Sequence, residues 1–319
     1  MSMFETPQTS QDVPLLTFVG VATLDALALV DRYPSANERV LATDMAYAGG
    51  GPAATAAVVA ARLGHRTAFV GAVGEDDEGQ RIVAGLELEG VDTSGVVIVP
   101  GAPSGASMVI IALATSTRAI SNRPPPLVDL AEQSRVRDLL TSSAWIHVDH
   151  IGWHPTLAAL TGARRRPLLS FDGGHHVEDF TCAGLDLYVP TVEALIIRYG
   201  DRPIRELLQT AQAEGARTVV ATQGADGAFV LGPDGRAVHV GSFPVEVVST
   251  LGAGDVFHGA LVAELAHGHH LIEAVRRANA VAGLSCRALD GRSAIPSAAE
   301  LDRYLTSQAS DRSPLATIN

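Results

Sequence analysis

The chain of 319 residues contains no lysine; all 23 of its basic residues are arginine. Any chemistry that needs a lysine Schiff base, or a Walker-type lysine on phosphates, is thereby excluded. Positive charge is scarce in general, since 35 acidic residues set a formal net charge of −12. A nucleic-acid binder would carry the opposite balance, so no nucleic-acid partner is expected. Only two cysteines occur, Cys182 and Cys286. They cannot make a disulfide framework or a four-cysteine zinc site, and read as buried thiols in a reducing compartment. Long apolar runs are missing too. Ser107 to Ala114 is among the most apolar stretches and is far too short to span a bilayer. Met1 to Asp12 is polar, with no basic or apolar region of a secretory signal. The expectation is a cytoplasmic protein with no membrane partner.

What is present suits a folded α/β chain. Hydrophobic residues make up 47% and charged residues 18%, enough for a sizeable core. The length fits one large α/β domain or two small ones. Residues 1–13 and 307–319 read as flexible tails rich in Ser, Thr, Gln and Pro. Between them, over 14–306, strand-like runs alternate with helix-like segments. Pro52 to Leu63 is Ala-rich and helix-forming, with Gly64 placed as a C-terminal cap. Further strands are predicted at Trp145–Val148, Leu168–Phe171, Leu187–Val189 and Thr218–Thr222. Helices are predicted at Pro155–Gly162, Ile204–Ala213, Asp255–His267 and Leu271–Leu284, and a hairpin at Ala228–Val240. Such alternation implies a mostly parallel sheet covered on both faces. Two β-rich excursions, about 28–47 and 96–122, interrupt it and would project as a small lid.

Three segments carry candidate chemistry. Gly252-Ala253-Gly254-Asp255 is a glycine turn entering a helix. Successive amides at the positive end of a helix dipole make an anion site, and a carboxylate beside them could take a hydroxyl proton. The same residues could equally be a turn with Asp255 as a cap. Gly49-Gly50-Gly51 precedes a small-residue helix and would let backbone approach a ligand, or simply allow tight packing. Asp25 follows the first strand, at the carboxyl end where open α/β sheets bind ligands, unless it is a turn residue.

In the order in which they occur, these segments resemble a known family. Gly49-Gly50, the helix end Arg62-Leu63-Gly64, Val70 to Asp76, Thr222-Gln223-Gly224 and Gly252 to Asp255 follow the pattern of the ribokinase-like (PfkB) carbohydrate kinases, over roughly residues 15–305. The resemblance implies a three-layer α/β/α fold with a mostly parallel central sheet and a β lid, and ATP-dependent transfer to a sugar hydroxyl. It implies that Asp255 is the catalytic base and that Gly252, Ala253 and Gly254 form the anion hole. Asp25, Gly49, Gly50 and Gly51 would contact the sugar. Thr222, Gly224 and Gly227 would form the nucleotide loop, with Asn279 beside the adenine. Glu193 would order Mg²⁺. Pro190 stands where the family's metal motif has Asn, and Ser249 where relatives have an Asp that helps bind a monovalent cation. A lid-paired homodimer is also implied.

Ala54 where most relatives have Asn, the run Gly252 to Leu261, and Gly291-Arg292-Ser293-Ala294-Ile295-Pro296 are similar to the family branch acting on 6-deoxy-6-sulfofructose at its 1-hydroxyl. Arg39 and Asn122-Arg123 are then expected to face the sulfonate. An Arg expected before Trp153 is absent; His150-Ile151-Gly152 stands there. Fructose or ribose remains the alternative substrate. His175-His176, His267, His269 and His270 read as surface histidines, and Arg164-Arg165-Arg166 as a solvated helix end. Of the rival readings, a dinucleotide oxidoreductase would need a glycine-rich turn after the first strand, where Gly20 stands alone. A non-catalytic binding relative is disfavoured by the retained Asp255 loop.

Overall fold

The computed structural model describes residues 13–115, 117–130, 132–308 and 316–318. Two sheets organise the chain. The larger has ten strands. Its seven parallel members are β1 (Leu15–Val19), β4 (Arg66–Gly74), β5 (Asp92–Val99), β8 (Trp145–Val148), β9 (Leu168–Asp172), β10 (Leu187–Val189) and β11 (Val219–Thr222). Antiparallel β12 (Ala228–Leu231), β13 (Ala237–Val240) and β14 (Ala316–Thr317) extend one side, so the order is β14-β13-β12-β11-β10-β9-β8-β1-β4-β5. The smaller sheet, in the order β3-β2-β6-β7, contains β2 (Thr23–Val30), β3 (Ala42–Gly50), β6 (Ala106–Ala112) and β7 (Thr117–Arg123).

Period-two alternation in the strands sends side chains to both faces of the large sheet, and each face has its own core. On one face α1 (Pro52–Arg62), α2 (Asp77–Leu88), α7 (Ala253–Ala266), α8 (Leu271–Ser285) and α9 (Ala298–Ser307) pack around Phe18, Phe69, Val220 and Val230. On the other, α3 (Ser134–Ser142), α4 (Trp153–Leu160), α5 (Val192–Tyr199) and α6 (Ile204–Ala213) pack around Ile146, Phe171 and Val219. This is the expected three-layer α/β/α arrangement. The inner face of the small sheet closes on Leu251 and Leu289 through Leu27, Val109 and Ile111. Among the described residues no helix is long and apolar enough to cross a membrane.

The structure changes three expectations. The second lid excursion begins at Ala106 and not at 96, because Val96–Val99 pair with β4 at the edge of the large sheet. The apolar runs of an edge strand and a lid strand look alike, so sequence does not separate them. Asp25 stands within lid strand β2 and not in a loop after β1. The stretch 307–319 is not wholly a tail: Ser307 ends α9, and Ala316–Thr317 pair with β13, whose outer edge they cover. Residues 1–12, 116, 131, 309–315 and 319 lie outside the described residues.

Candidate active site

Two helices aim their N-termini at one cleft. Helix α1 is built almost wholly from Ala and Val, and α7 crosses it where Gly259 meets Ala56. A side chain at position 259 would overlap the Ala56 backbone, so glycine there sets how closely the helices approach. Pro52 opens α1, where a missing amide hydrogen costs nothing. Gly252, in the left-handed region at φ 73°, turns the chain into α7. The first-turn amides of α7, including those of Gly254 and Asp255, lack intrahelical acceptors and point to the open side. The space in front of Gly254 is empty. The cleft is lined by Asp25, Gly49 to Gly51, Thr55, Gly252, Asp255, Asp290 and Gly291, with Leu27, Ala48 and Leu251. Residues more than 200 positions apart in sequence thus share one wall.

On the lid side Asp25 is held by the Thr23 hydroxyl, which donates to it at 2.8 Å. Burial pushes the Asp25 carboxyl above its ordinary value, against hydrogen bonds from Thr23 and Ser107 and the charge of Arg292. Asp290 accepts from the amides of Arg292 and Ser293, each at 2.7 Å, and from the Ser293 hydroxyl at 2.6 Å. Its carboxylate is therefore committed to its own loop, whereas Asp25 and Asp255 are available to a ligand.

Asp255 is the unusual acid. Burial, followed by the negative neighbours Asp172 and Asp149, pushes its carboxyl up to about 8, with Arg292 opposing. Asp149 follows β8 and gathers the amides of Val21 at 2.7 Å, Ile151 at 2.9 Å and Gly152 at 3.1 Å. Asp172 ends β9, accepts from the Gly174 amide at 2.8 Å and lies 3.5 Å from Nε2 of His258, one turn after Asp255. Burial lowers His258, so the pair supplies no fixed cation to Asp255. Sequence reasoning missed Asp149, Asp172 and Arg292. Asp149 follows β8 and Asp172 ends β9, both at a strand's carboxyl end, the signal that selected Asp25.

The nucleotide-side candidates line up along the neighbouring strand ends. Thr222 ends β11 and bridges to Thr191, which caps α5 by accepting from the Ala194 amide at 3.0 Å. Gly224 at φ 54° and Gly227 at φ 94° flank a short 3₁₀ turn, and a side chain at 227 would overlap the Val240 carbonyl. Asn279 is buried in α8, and its amide donates to the carbonyls of Val240 at 3.0 Å and Gly241 at 3.1 Å. Glu193, exposed in the first turn of α5, makes no hydrogen bond or ion pair to another described residue. A free carboxylate there fits a hydrated divalent cation, for which oxygen ligands and retained waters suffice.

Other candidates stand apart. Arg39 is exposed in the loop between β2 and β3 and does not line the cleft. Asn122 is exposed on β7 opposite Ser107, also outside the lining, and Arg123 donates to the Ser104 carbonyl at 2.8 Å. His175 packs at a tilt against His150 and His267 against His65, while His269 lies 3.2 Å from Glu264. Among the described residues no group of three or more His, Cys, Asp or Glu side chains could hold a metal ion.

The family model described as pfkB family carbohydrate kinase matches residues 14–160 and 192–298. The chain belongs to that family. It is an ATP-dependent carbohydrate kinase with a ribokinase-like fold. Its relatives include a ribokinase of Bacillus subtilis, 27% identical over 90% of this chain and 98% of the relative. A ketohexokinase of Mus musculus is 26% identical over 84% of this chain and 94% of the relative. The solved ribokinase of Thermotoga maritima superposes with a TM-score of 0.79 at 23% identity, covering 92% of this chain and 99% of that one, which speaks for the fold.

Proposed function

We propose that this kinase phosphorylates a primary hydroxyl of a neutral, hydroxyl-rich sugar, a ketose or a pentose. The observation that carries the reading is the placement of Asp25 and Asp255 on one cleft wall beside the first-turn amides of α7. Carboxylates accept hydrogen bonds from sugar hydroxyls, and Asp25 is held in place to do so. Asp255 would take the proton of the attacking hydroxyl as its oxygen bonds to the γ-phosphorus of ATP and the bond to the β-phosphate bridging oxygen breaks. The amides of Gly254 and Asp255 would stabilise the charge on the transferring group. The nucleotide would lie along Thr222, Gly224 and Gly227. Mg²⁺ held through Glu193 would neutralise phosphate charge.

The competing substrate is 6-deoxy-6-sulfofructose. A sulfonate needs charged donors aimed at it. The cleft lining contains three carboxylates and no arginine, and Arg39 is off it, which favours the neutral sugar. ADP formation with fructose, ribose and 6-deoxy-6-sulfofructose decides between them. The reading expects kcat/KM to be highest for a neutral sugar; a preference for the sulfonate would reverse the substrate assignment, and no sugar-dependent ADP formation would defeat the kinase reading.

A homodimer through the lid belongs to the same reading. The outward face of the small sheet exposes Met45 at 71%, Tyr47 at 67% and Met108 at 63%, an apolar surface that pairing of two lids would cover. Sedimentation analysis at assay concentration is expected to give a dimer, and a monomer would remove this element.

A further inference from the structure

Arg292 packs behind the cleft wall and does not line the cleft directly. Its Nη2 donates to the Gly50 carbonyl at 2.7 Å and its Nε to the Thr55 hydroxyl at 3.1 Å. Its Nη1 packs so closely over Gly49 that any side chain there would overlap it. The guanidinium therefore touches three residues of the cleft lining, two at the end of lid strand β3 and one in the first turn of α1. Its own backbone is anchored at both ends. The Arg292 amide donates to Asp290 at 2.7 Å, and its carbonyl accepts from Nη1 of Arg62 at 2.8 Å. Arg62 is in turn paired with Glu89 at 2.7 Å. Gly291, the preceding residue, packs against Gly252 of the anion-hole turn.

We propose that Arg292 is a positioning residue for the sugar, docking Gly49 and Gly50 against α1 and setting a fixed positive charge beside Asp25 and Asp255. This rests on the sugar-kinase reading. A planar fork suits the task because two donors in fixed geometry reach two acceptors on different elements, which a single ammonium does not. Burial pushes the guanidinium down to about 10, which leaves it charged at neutral pH. Around Asp255 the charged and titratable groups include Asp172 from β9, Asp149 after β8, Asp25 from β2, Asp290 and Arg292 from the 290–295 loop, and His258 on α7 itself. Arg292 is the cation of that set, so its loss acts on the base as well as on the sugar loop.

The test compares wild type, Arg292→Ala and Arg292→Lys in ADP formation and in sugar binding by calorimetry. Loss of hydrogen bonds from a charged group is expected to raise the sugar KM about ten- to a hundredfold in Arg292→Ala, with the nucleotide KM unchanged. The acid limb of kcat/KM is expected to move to higher pH in Arg292→Ala. Arg292→Lys is expected to return the limb to its wild-type place but to restore the sugar KM only in part. A brace with no role at the site would lower thermal stability and shift both KM values together, or leave the limb unmoved; either result overturns the proposal. Absence of wild-type turnover on every sugar would fail the kinase reading alone, and calorimetric sugar binding then decides for Arg292. Equal sugar binding by wild type and Arg292→Ala, or none by wild type, overturns the proposal.

Discussion

The carboxylate of Asp25 occupies the space that a side chain at Gly50 would need, with the Thr23 hydroxyl close behind it. Gly50 is outside the left-handed region, so it is glycine for proximity and not for backbone conformation. The Gly-Gly pair at the end of β3 thus serves two neighbours at once, Asp25 over Gly50 and Arg292 over Gly49.

Gly50→Ala is therefore expected to push Asp25 out of its hydrogen bond with Thr23 and away from the sugar. Losing one hydrogen bond to a charged group corresponds to about tenfold or more in sugar KM. The nucleotide KM is expected to stay unchanged. Steady-state kinetics with each substrate varied checks this, and an unchanged sugar KM would separate Asp25 from sugar binding.

Asp255→Asn removes the proposed base and keeps its shape. Turnover is expected to fall by about 10²–10⁴-fold, with nucleotide affinity retained in calorimetry. Stability should move the other way. A carboxyl whose folded value, about 8, lies above its unfolded value of 3.8 binds more protons folded than unfolded. It therefore costs the fold stability as pH rises through that window, and the cost is fully present above pH 8. The Asn variant is expected to melt at least ~2 °C higher than wild type at pH 8, the gap closing as pH falls toward 4. A variant that melts lower throughout would contradict the burial of an unpaired charge at position 255.

The same carboxyl sets the activity profile. In the free enzyme only ionised Asp255 can accept a proton, so kcat/KM is expected to rise with pH and level off above about 8. Asp172 and Asp149 help hold that value up. Asp172→Asn removes one of these charges and is expected to shift the limb to lower pH. A limb unmoved in Asp172→Asn would remove Asp172 from the causes and leave burial with Asp149.

Much of the site was legible because its parts are contiguous. Gly252 to Asp255, Gly49 to Gly51 and Asp25 each sit in short runs whose backbone needs can be read locally. The strand–helix alternation likewise announced the layers, since period-two and helical patterns differ within a few residues. What stayed hidden is long-range. Arg292 reaches Thr55 across 237 positions, and nothing near either residue signals the other. Asp149 and Asp172 follow short strands, and their effect on Asp255 depends on how β8, β9 and α7 converge. The lid boundary failed for another reason: β5 and β6 are both apolar runs, and only pairing partners tell which sheet each joins.

The geometry of Asn279 differs from that of a direct nucleotide contact. Its amide nitrogen already donates to two carbonyls, Val240 and Gly241, at the point where β13 gives way to the segment leading to Gly252. That makes it a brace for the nucleotide side. Asn279→Ala leaves both acceptors without this donor in a buried setting, which costs about 1–3 kcal/mol. The melting temperature is expected to fall by several degrees and the nucleotide KM to rise, with the sugar KM unchanged. Asn279→Asp keeps the volume but turns the donor into an acceptor facing two carbonyls, so it is expected to lose at least as much stability as the alanine variant. If Asn279→Ala instead raises the nucleotide KM at unchanged stability, the side chain acts on the adenine directly and the brace is not its role.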